Sequence, residues 1–433
     1  MIAQTLKYWY GIRESYWFVP TVMALLAAVA AVVLGWVDSA LGDQWTGDVP
    51  WFVGSHPDGA RAMLSTIAGS MITVAGVTFS VTIAAVAYTT SQFGPRLLTN
   101  FMSDRGNQIT LGTFIATFVY CMLVLRNVRT AGEGFVPQIS LFFALSLAIA
   151  SIAVLIYFIH HVTESIHISN VVADIGRDLE KTLHRDSQRD GPAHHRHPAE
   201  QMTGAYARVS CGGNGYIQHL VESRLLELAE KSDTLVQLER QPGDFVHYGQ
   251  TLARVWPADR ADDKLLDQMS QAYALGRSRT LVEDMMLLVD ELVEIAARAL
   301  SPGINDPFTA MSCLDWLRTA LVRFASTPPP SPYRHDEAGA LRLIRPVLDF
   351  DTLIEQIYTR LRPYFCADPS AACHMIDSLG HIAPLLSEPQ RRTLAGQNEA
   401  LHEASQALLG AEPDRARVTR HYQACRDRID SLA

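Results

Sequence analysis

The sequence has little charge in its first third and few signatures of chemistry anywhere. No residue from position 62 to 95 carries a formal charge. The six cysteines form no CxxC pair, which argues against a disulfide framework or a zinc ribbon. GxSxG, HExxH and P-loop motifs are missing, and a net charge of -9 without a basic run gives nucleic-acid binding no support. We therefore expect neither an enzyme nor a protein that carries a cofactor or a metal.

Apolar residues are concentrated in four segments of the first 160 residues. They cover residues 16–37, 62–88, 109–125 and 136–159, each close to the ~20 residues that a helix needs to cross hydrocarbon. Backbone groups in lipid need internal partners, so all four are predicted to be transmembrane α-helices. An aromatic stretch precedes the first segment and no small-residue cleavage pattern follows it, which favours a retained helix over a signal peptide.

The distribution of basic residues predicts the orientation in the membrane. Lys7 and Arg13 precede the first span, whereas residues 38–60 contain no Lys or Arg. Positive charge favours the cytoplasmic side, so the N-terminus is expected there. The second loop and the residues after the fourth span agree with this orientation, and the third loop does not. Four crossings of a bacterial inner (plasma) membrane would leave both termini cytoplasmic.

Residues beyond the fourth span read as a water-soluble α+β domain. Helical spacing continues through residues 161–190 as a stalk, and a Pro- and His-rich linker follows at 191–203. Short strand patterns broken by Gly and Pro predict a small α/β or β-barrel-like unit at 204–258. The remainder, 259–433, reads as a helical domain whose helices begin at acidic residues beside a proline.

A small, weakly polar face is predicted along the second span. At helical spacing one stripe collects hydroxyl-bearing and small residues, with a second stripe of Thr78, Thr82 and Thr89 beside it. Two interpretations explain the first stripe: close packing against another helix, or a water-filled pathway in an oligomer. Packing is the commoner case. Both can hold if the second helices pack around the axis of an oligomer. The first stripe consists of Thr66, Ser70, Thr73, Gly76, Ser80 and Ala87.

Titratable residues follow a similar spacing just after the fourth span. Around a symmetry axis they would form a polar ring that concentrates cations, whereas in a monomer they would be a solvated helix face. His-Glu-His spacing alone is weak evidence for a metal, and none is expected. The residues of this stalk ring are His160, Glu164, His167 and Asp174.

The segment "ALSPGINDPFTA" is the densest local signal in the soluble part. Pro302-Gly303 ends one helix and Asp306-Pro307 begins the next, which indicates a tight interhelical connection. Polar groups at a helix N-terminus also suit an anionic ligand or a partner's backbone. The candidate residues of this turn are Ser301, Asn305, Asp306 and Thr309.

Several long motifs carry a resemblance over nearly the whole chain. "SYWFVP", "STIAGSMITVAGVTFSVTIAAVAYTTSQFGPRLLTNFMSDRGNQITLGTFIATFVYCMLVLR", "GYIQHL" and "ALSPGINDPFTA" resemble the bacterial predicted-membrane-protein family catalogued as domain of unknown function 2254. The resemblance implies four spans and a cytoplasmic domain, and it implies no established activity. Around Asp284 the sequence departs from the family's pattern, because a Phe-Gly pair is expected after the acidic residue and Met286-Leu287-Leu288 stands there.

Two functions are compatible with these patterns. The first is a homo-oligomer whose second helices line an ion or small-solute pathway, with the cytoplasmic domain regulating it. The alternative is a non-conducting membrane scaffold or sensor that binds a small anionic ligand or a protein through the 301–309 turn. The expected surroundings are the lipid bilayer and further copies of the chain.

Overall fold

The chain is mostly helical and divides into two compact units. The computed structural model describes residues 15–41, 56–94, 104–129, 135–188, 202–281, 283–327 and 330–432. A membrane unit lies within residues 11–167, and a C-terminal unit contains residues 168–433. Four helices of the membrane unit are long and apolar enough to cross a membrane, which confirms the number of predicted spans. Nearly all of the predicted linker 191–203 lies outside the described residues.

The membrane helices are longer than the apolar runs that predicted them. They are α1 (Phe18–Leu41), α2 (Pro57–Phe93), α3 (Arg105–Asn127) and α4 (Gln138–Ile166). Helix ends are set by caps rather than by hydropathy: α2 has a proline in its first turn, and the Asp104 side chain accepts from the Gly106 amide to begin α3. At 1.5 Å per residue α2 is about 55 Å long, against ~30 Å of hydrocarbon.

Helix α3 is the centre of the membrane unit and contacts each of the other three helices. Two glycines allow α1 to approach it closely. A Cβ at Gly112 would lie 2.5 Å from the Met23 sulfur, and one at Gly35 would lie 2.5 Å from the Asn127 amide nitrogen. Small residues at a helix contact let backbones approach where no hydrophobic force between helices exists.

An apolar core fixes the relative direction of α2 and α3. Residues from the beginning of α2 share this core with residues from the end of α3, so the two helices run antiparallel. The core includes Ala60, Leu64 and Ala68 of α2 and Tyr120, Cys121 and Val124 of α3.

The strands of the C-terminal unit form two open sheets. Of the two alternatives predicted for residues 204–258, a small α/β unit or a β-barrel-like unit, the barrel-like one was therefore wrong. The strands are β1 (Ala207–Ser210), β2 (Gly215–Leu220), β3 (Leu235–Leu238), β4 (Phe245–Val246), β5 (Thr251–Trp256), β6 (Tyr273–Gly276), β7 (Tyr333–His335) and β8 (Leu341–Ile344). One sheet has the order β1-β5-β3-β8-β7 and the other β4-β2-β6. Strand β8 joins from a distant part of the sequence and pairs parallel with β3, which extends the first sheet instead of closing it.

Ten helices of the C-terminal unit are described. They are α5 (Ile168–Gln188), α6 (Glu222–Lys231), α7 (Asp263–Ser270), α8 (Met286–Ala299), α9 (Pro307–Ala325), α10 (Phe350–Ile354), α11 (Arg360–Phe365), α12 (Pro369–Ile382), α13 (Glu388–Leu408) and α14 (Glu412–Asp430). Helix α5 packs on α8 and α9, where a Cβ at Gly176 would overlap the ring of Trp316. The predicted helix starts at Asp368-Pro369, Glu388-Pro389 and Glu412-Pro413 are confirmed.

Candidate functional site

The predicted stripe on α2 lies on the helix face that the other described residues do not cover. All six of its residues are exposed, whereas Leu64, Ala75, Thr82 and Val86 are buried. At about 100° per residue the centre of the stripe is roughly 180° from the centre of the buried face. The α2 residues that pack within this chain are therefore a different set from the stripe.

Hydroxyl groups of the stripe are bonded within their own helix. Thr66, Thr73 and Ser80 donate to the carbonyl oxygens of Ala62, Gly69 and Gly76 at 2.8, 2.9 and 2.9 Å. A hydroxyl that donates in this way keeps its lone pairs for a second group. A Cβ added at Gly69 or Gly76 would meet nothing within 4 Å. The stripe is thus uncharged, small in its side chains and supplied with oxygen lone pairs, although larger apolar side chains such as Val77 lie beside it.

The second threonine stripe of α2 faces inward. Thr78, Thr82 and Thr89 are 3, 3 and 0% exposed, and each donates to a carbonyl one turn earlier. The ring of Tyr16 lies 6.3 Å from that of Phe79. Packing within the chain accounts for this stripe. Helical periodicity in the sequence identified both stripes but did not show which of them is buried.

A carboxylate and an imidazole join the beginning of α3 to the last turns of α4. Asp104 Oδ2 lies 2.6 Å from His161 Nε2, while Asp104 Oδ1 accepts from the Gly106 amide at 2.8 Å. The Tyr157 ring stacks on the imidazole at 5.2 Å. A Cβ at Gly106 would lie 2.5 Å from His161 Nε2, so this contact depends on glycine. Sequence spacing missed the pair because its members are 57 residues apart.

Another carboxylate caps the beginning of α4. Asp38, in the last turn of α1, is 6% exposed and accepts from the amides of Ile139 and Ser140 at 2.9 and 3.0 Å and from the Ser140 hydroxyl at 2.6 Å. Its charge faces the positive end of the α4 dipole. The sequence pattern had assigned Asp38 to an acidic loop, and the structure places it inside a helix as a cap.

The residues of the predicted stalk ring are divided between two helices. His160 Nε2 and Glu164 Oε1 lie 3.3 Å apart on the exposed face of α4. His167 is extended, with φ -70° and ψ 115°, and separates α4 from α5. Asp174 lies on α5, where it pairs with Arg177 at 2.7 Å. The spacing of one continuous helix therefore ends at Ile166, and a ring formed by these residues stays a prediction.

Most polar groups of the 301–309 turn are used inside the turn. The Ser301 hydroxyl donates to the Arg298 carbonyl at 2.6 Å. Asp306 caps α9, accepting from the Thr309 amide at 3.1 Å and from its hydroxyl at 2.6 Å. Asn305 has a left-handed backbone with φ 53° and an exposed side chain. Beside it Phe308 is 78% exposed, so an aromatic ring, rather than the carboxylate, is what this turn presents to its surroundings.

An ionic network surrounds the segment around Asp284. Arg279 donates from Nε to Asp284 Oδ2 at 2.5 Å and also contacts Asp290, which Arg360 contacts from another helix. Burial acts to lower the pKa of Arg279, but the contacts with the two carboxylates raise it above its usual value. Arg279 therefore keeps its charge within the network. The contacts of the network connect the segment after β6 with α8 and α11.

The part of the chain that the structure describes contains no candidate metal site formed by His, Cys, Asp or Glu side chains. No group of three or more His, Cys, Asp or Glu side chains there lies close enough together to hold a metal ion. The described cysteines are all free and buried. Burial raises the pKa of the Cys425 thiol to about 12, which makes it a poor ligand and a poor nucleophile at neutral pH.

Comparisons with known proteins agree with the membrane architecture. A family model described as "Predicted membrane protein (DUF2254)" matches residues 13–381. Uncharacterized proteins of Mycobacterium bovis and of Mycobacterium tuberculosis strain H37Rv are each 30% identical over 420 residues, covering 94% of this chain and 79% of theirs. A further uncharacterized protein, from Mycobacterium tuberculosis strain CDC 1551, is 29% identical over the same shares. No solved structure matches the chain significantly.

Proposed function

The chain belongs to the predicted membrane protein family DUF2254, and from that premise we propose that it is a homo-oligomeric channel for ions or small solutes. In this proposal the α2 helices of several copies surround an axis and turn their outward stripes toward it. The C-terminal unit is cytoplasmic and regulates opening. The protein lies in the inner membrane with both termini in the cytoplasm.

The observation that carries the proposal is the outward position of the stripe. A face that met only lipid would gain nothing from hydroxyls and glycines, whereas a face lining water can use hydroxyl oxygens to replace part of an ion's hydration shell. The stripe's hydroxyls already donate to their own helix, so their lone pairs point outward. Neutral dipoles of this kind accept an ion without the cost of burying a charged side chain.

The same face also supplies a candidate gate. Val77 is 60% exposed and lies between Thr73 and Ser80 on the outward side of α2. In a ring of helices, a circle of valines would be an apolar constriction between two circles of hydroxyls. Constrictions of this kind close a pore by losing their water. A small rotation of α2, imposed from the C-terminal unit, would change the width at this position.

Native mass spectrometry of the detergent-purified protein tests the geometric premise, because one helix per subunit can enclose a path only in a ring. We expect a closed oligomer of four or more copies. Planar-bilayer recordings then test the pore: Thr73→Leu and Ser80→Leu should abolish conductance while the oligomer persists. Ile72→Leu, which changes an exposed residue off the stripe, is the matched control and should conduct normally. A stable monomer would contradict the proposal.

One observation favours the alternative, a scaffold or sensor that does not conduct. The exposed Phe308 ring and the Asn305 side chain form a surface on the 301–309 turn suited to a protein partner. The channel proposal predicts that Asn305→Ala and Phe308→Ala leave unitary conductance unchanged. Loss of a copurifying partner in these variants, together with normal function of Thr73→Leu, would favour the scaffold.

A further inference from the structure

The helices of the membrane unit reach different levels on the side where α3 begins. Asp104, which caps α3, lies 2.6 Å from His161, so α4 passes this level at His161 and ends soon after it, at Ile166. Helix α1 begins close to the same level, because it runs parallel to α3 with Met23 beside Gly112. We call this level, defined by Asp104 and His161, the α3-start level.

Two separate observations place the α3-start level on α2 near Thr82. The ring of Tyr16, just before α1, lies 6.3 Å from that of Phe79. In the apolar core, Leu64 and Cys121 are the central contributions of α2 and α3. Cys121 lies about 17 residues beyond the α3-start level, so on antiparallel α2 that level falls about 17 residues beyond Leu64. The two observations agree within one turn of helix.

Charged residues mark the two edges of a layer as thick as hydrocarbon. Asp104 and His161 lie at the α3-start level. Arg61 of α2 and Arg126 of α3 lie about 20 residues, or ~30 Å, away from it along their helices. Residues 83–93 of α2 fall outside this layer, extend for about 16 Å and carry no charge. We call them the projecting segment.

The projecting segment presents apolar side chains that the described residues leave exposed. Ile83 and Tyr88 are 41 and 58% exposed, and Val81 at the base of the segment is 43% exposed. The opposite side of the segment is already occupied, because Val86 and Thr89 are buried within the chain. Apolar side chains that are exposed together on a surface in water mark a contact with a partner.

The spacing of exposed residues along α2 identifies that partner as α2 of another copy. From Thr66 to Ser91 they recur at alternating intervals of four and three, the heptad spacing of a coiled coil. A single straight helix gains nothing from this spacing, whereas helices that share it supercoil and stay in contact. Val81, Ile83 and Tyr88 lie beside this seam, at the positions that flank a coiled-coil core. The seam consists of Thr66, Ser70, Thr73, Val77, Ser80, Ala84, Ala87 and Ser91.

From this geometry we infer that the projecting segments of neighbouring copies pack against one another outside the hydrocarbon, along Ala84, Ala87 and Ser91. The small side chains let the helices approach closely, and Ile83 and Tyr88 are removed from water at the edges of the contact. No like charges oppose the approach, because the segment has none. The contact rests on the homo-oligomer of the proposed function, but it does not depend on conduction.

Cysteine cross-linking in membranes tests the contact. Ala87→Cys puts a thiol on the seam, whereas Ala85→Cys makes the same change about 160° around the helix, at a half-exposed position. A short bismaleimide should convert most of the Ala87→Cys protein to linked copies on denaturing gels, and several-fold less of the Ala85→Cys protein. The wild type gives the background, because its described cysteines are buried. If Ala87→Cys does not fold, Ala84→Cys makes the same test.

A charged thiol reagent tests the level. In open membrane fragments it should react with Ala85→Cys many-fold faster than with Ile72→Cys, which is exposed on the same helix but lies within the layer. Charge keeps such a reagent out of hydrocarbon, and a thiol in lipid forms little reactive thiolate. Equal rates would place the projecting segment in lipid, and equal linking of Ala87→Cys and Ala85→Cys would remove the contact. Either result overturns the inference.

Conductance separates this inference from the channel. An oligomer that links through Ala87→Cys but passes no current would support the contact and contradict the channel. A conducting oligomer that does not link would do the reverse. A stable monomer would contradict both.

Discussion

The carboxylate of Asp38 offers a sharp test of how the membrane unit is held together. It is the acceptor for three hydrogen atoms at the beginning of α4, two from backbone amides and one from the Ser140 hydroxyl. Asp38→Ala leaves all three without that acceptor. Asp38→Asn keeps one oxygen as an acceptor but removes the charge and turns an NH₂ group toward donors.

The expected magnitudes follow from these contacts. Loss of an N-terminal cap costs about 1 kcal/mol, and each buried donor left unpaired costs about 1–3 kcal/mol. Partial access of water at the helix end reduces the sum. We expect Asp38→Ala to lower the free energy of unfolding by ~3 kcal/mol, and Asp38→Asn by ~1–2 kcal/mol.

Equilibrium unfolding of the purified protein in mixed micelles, titrated with SDS and followed by tryptophan fluorescence, measures both variants. The control is Ser39→Ala, because Ser39 is the next residue, is exposed, and bonds only to the Trp36 carbonyl among the described residues. A loss for Asp38→Ala within about 0.5 kcal/mol of the control would show that the cap contributes nothing beyond a surface substitution. That result would refute the reasoning.

Three further predictions concern packing, pH and thiol chemistry. Gly112→Ala should destabilise the membrane unit in the same SDS titration, because the new Cβ overlaps α1, whereas Gly69→Ala should be neutral because no described residue lies within 4 Å of its Cβ. A hydrogen bond from Arg342, followed by one from the Ala340 amide, holds the pKa of Asp336 below its ordinary value. The Arg342 contact therefore stabilises the fold above the ordinary Asp pKa and is lost as pH falls through the lowered value. Melting curves of Arg342→Gln should approach those of the wild type at acid pH. Burial raises the pKa of Cys425 to about 12, so mass spectrometry should find this thiol unalkylated by iodoacetamide at neutral pH until the protein is denatured.

The sequence predicted the elements better than their pairing. Charge-free apolar runs located all four membrane helices, because no soluble helix needs so long an apolar surface. Strand patterns at 207–210, 235–238 and 251–256 were also recognised. The sheet order was missed, since β8 pairs with β3 across about a hundred residues and no local pattern records that contact. A β-barrel-like unit stood beside a small α/β unit as an alternative, because short strands and glycines are common to barrels and open sheets.

The candidate sites show the same limit. Helical period identified two polar stripes on α2, but only packing against α3 shows which stripe is buried. Asp38, and likewise Asp104 with His161, were not found as capping or bridging residues, because each acts on a partner far along the chain. The 301–309 turn was located correctly as a helix connection, with Asp306 as the cap, since a cap and its helix are adjacent in sequence.

The length of the outward stripe on α2 helps to decide whether it lines a pathway or forms a contact between copies. From Thr66 to Ala87 the outward stripe extends for about 32 Å, close to the ~30 Å of hydrocarbon. An interface between copies needs only a patch of small residues, so a stripe that continues across the whole membrane fits a pathway better than a contact. If Thr73→Leu silences conductance while the oligomer persists, the outward face carries the ion. If Thr73→Leu conducts normally, the outward stripe is only where copies meet.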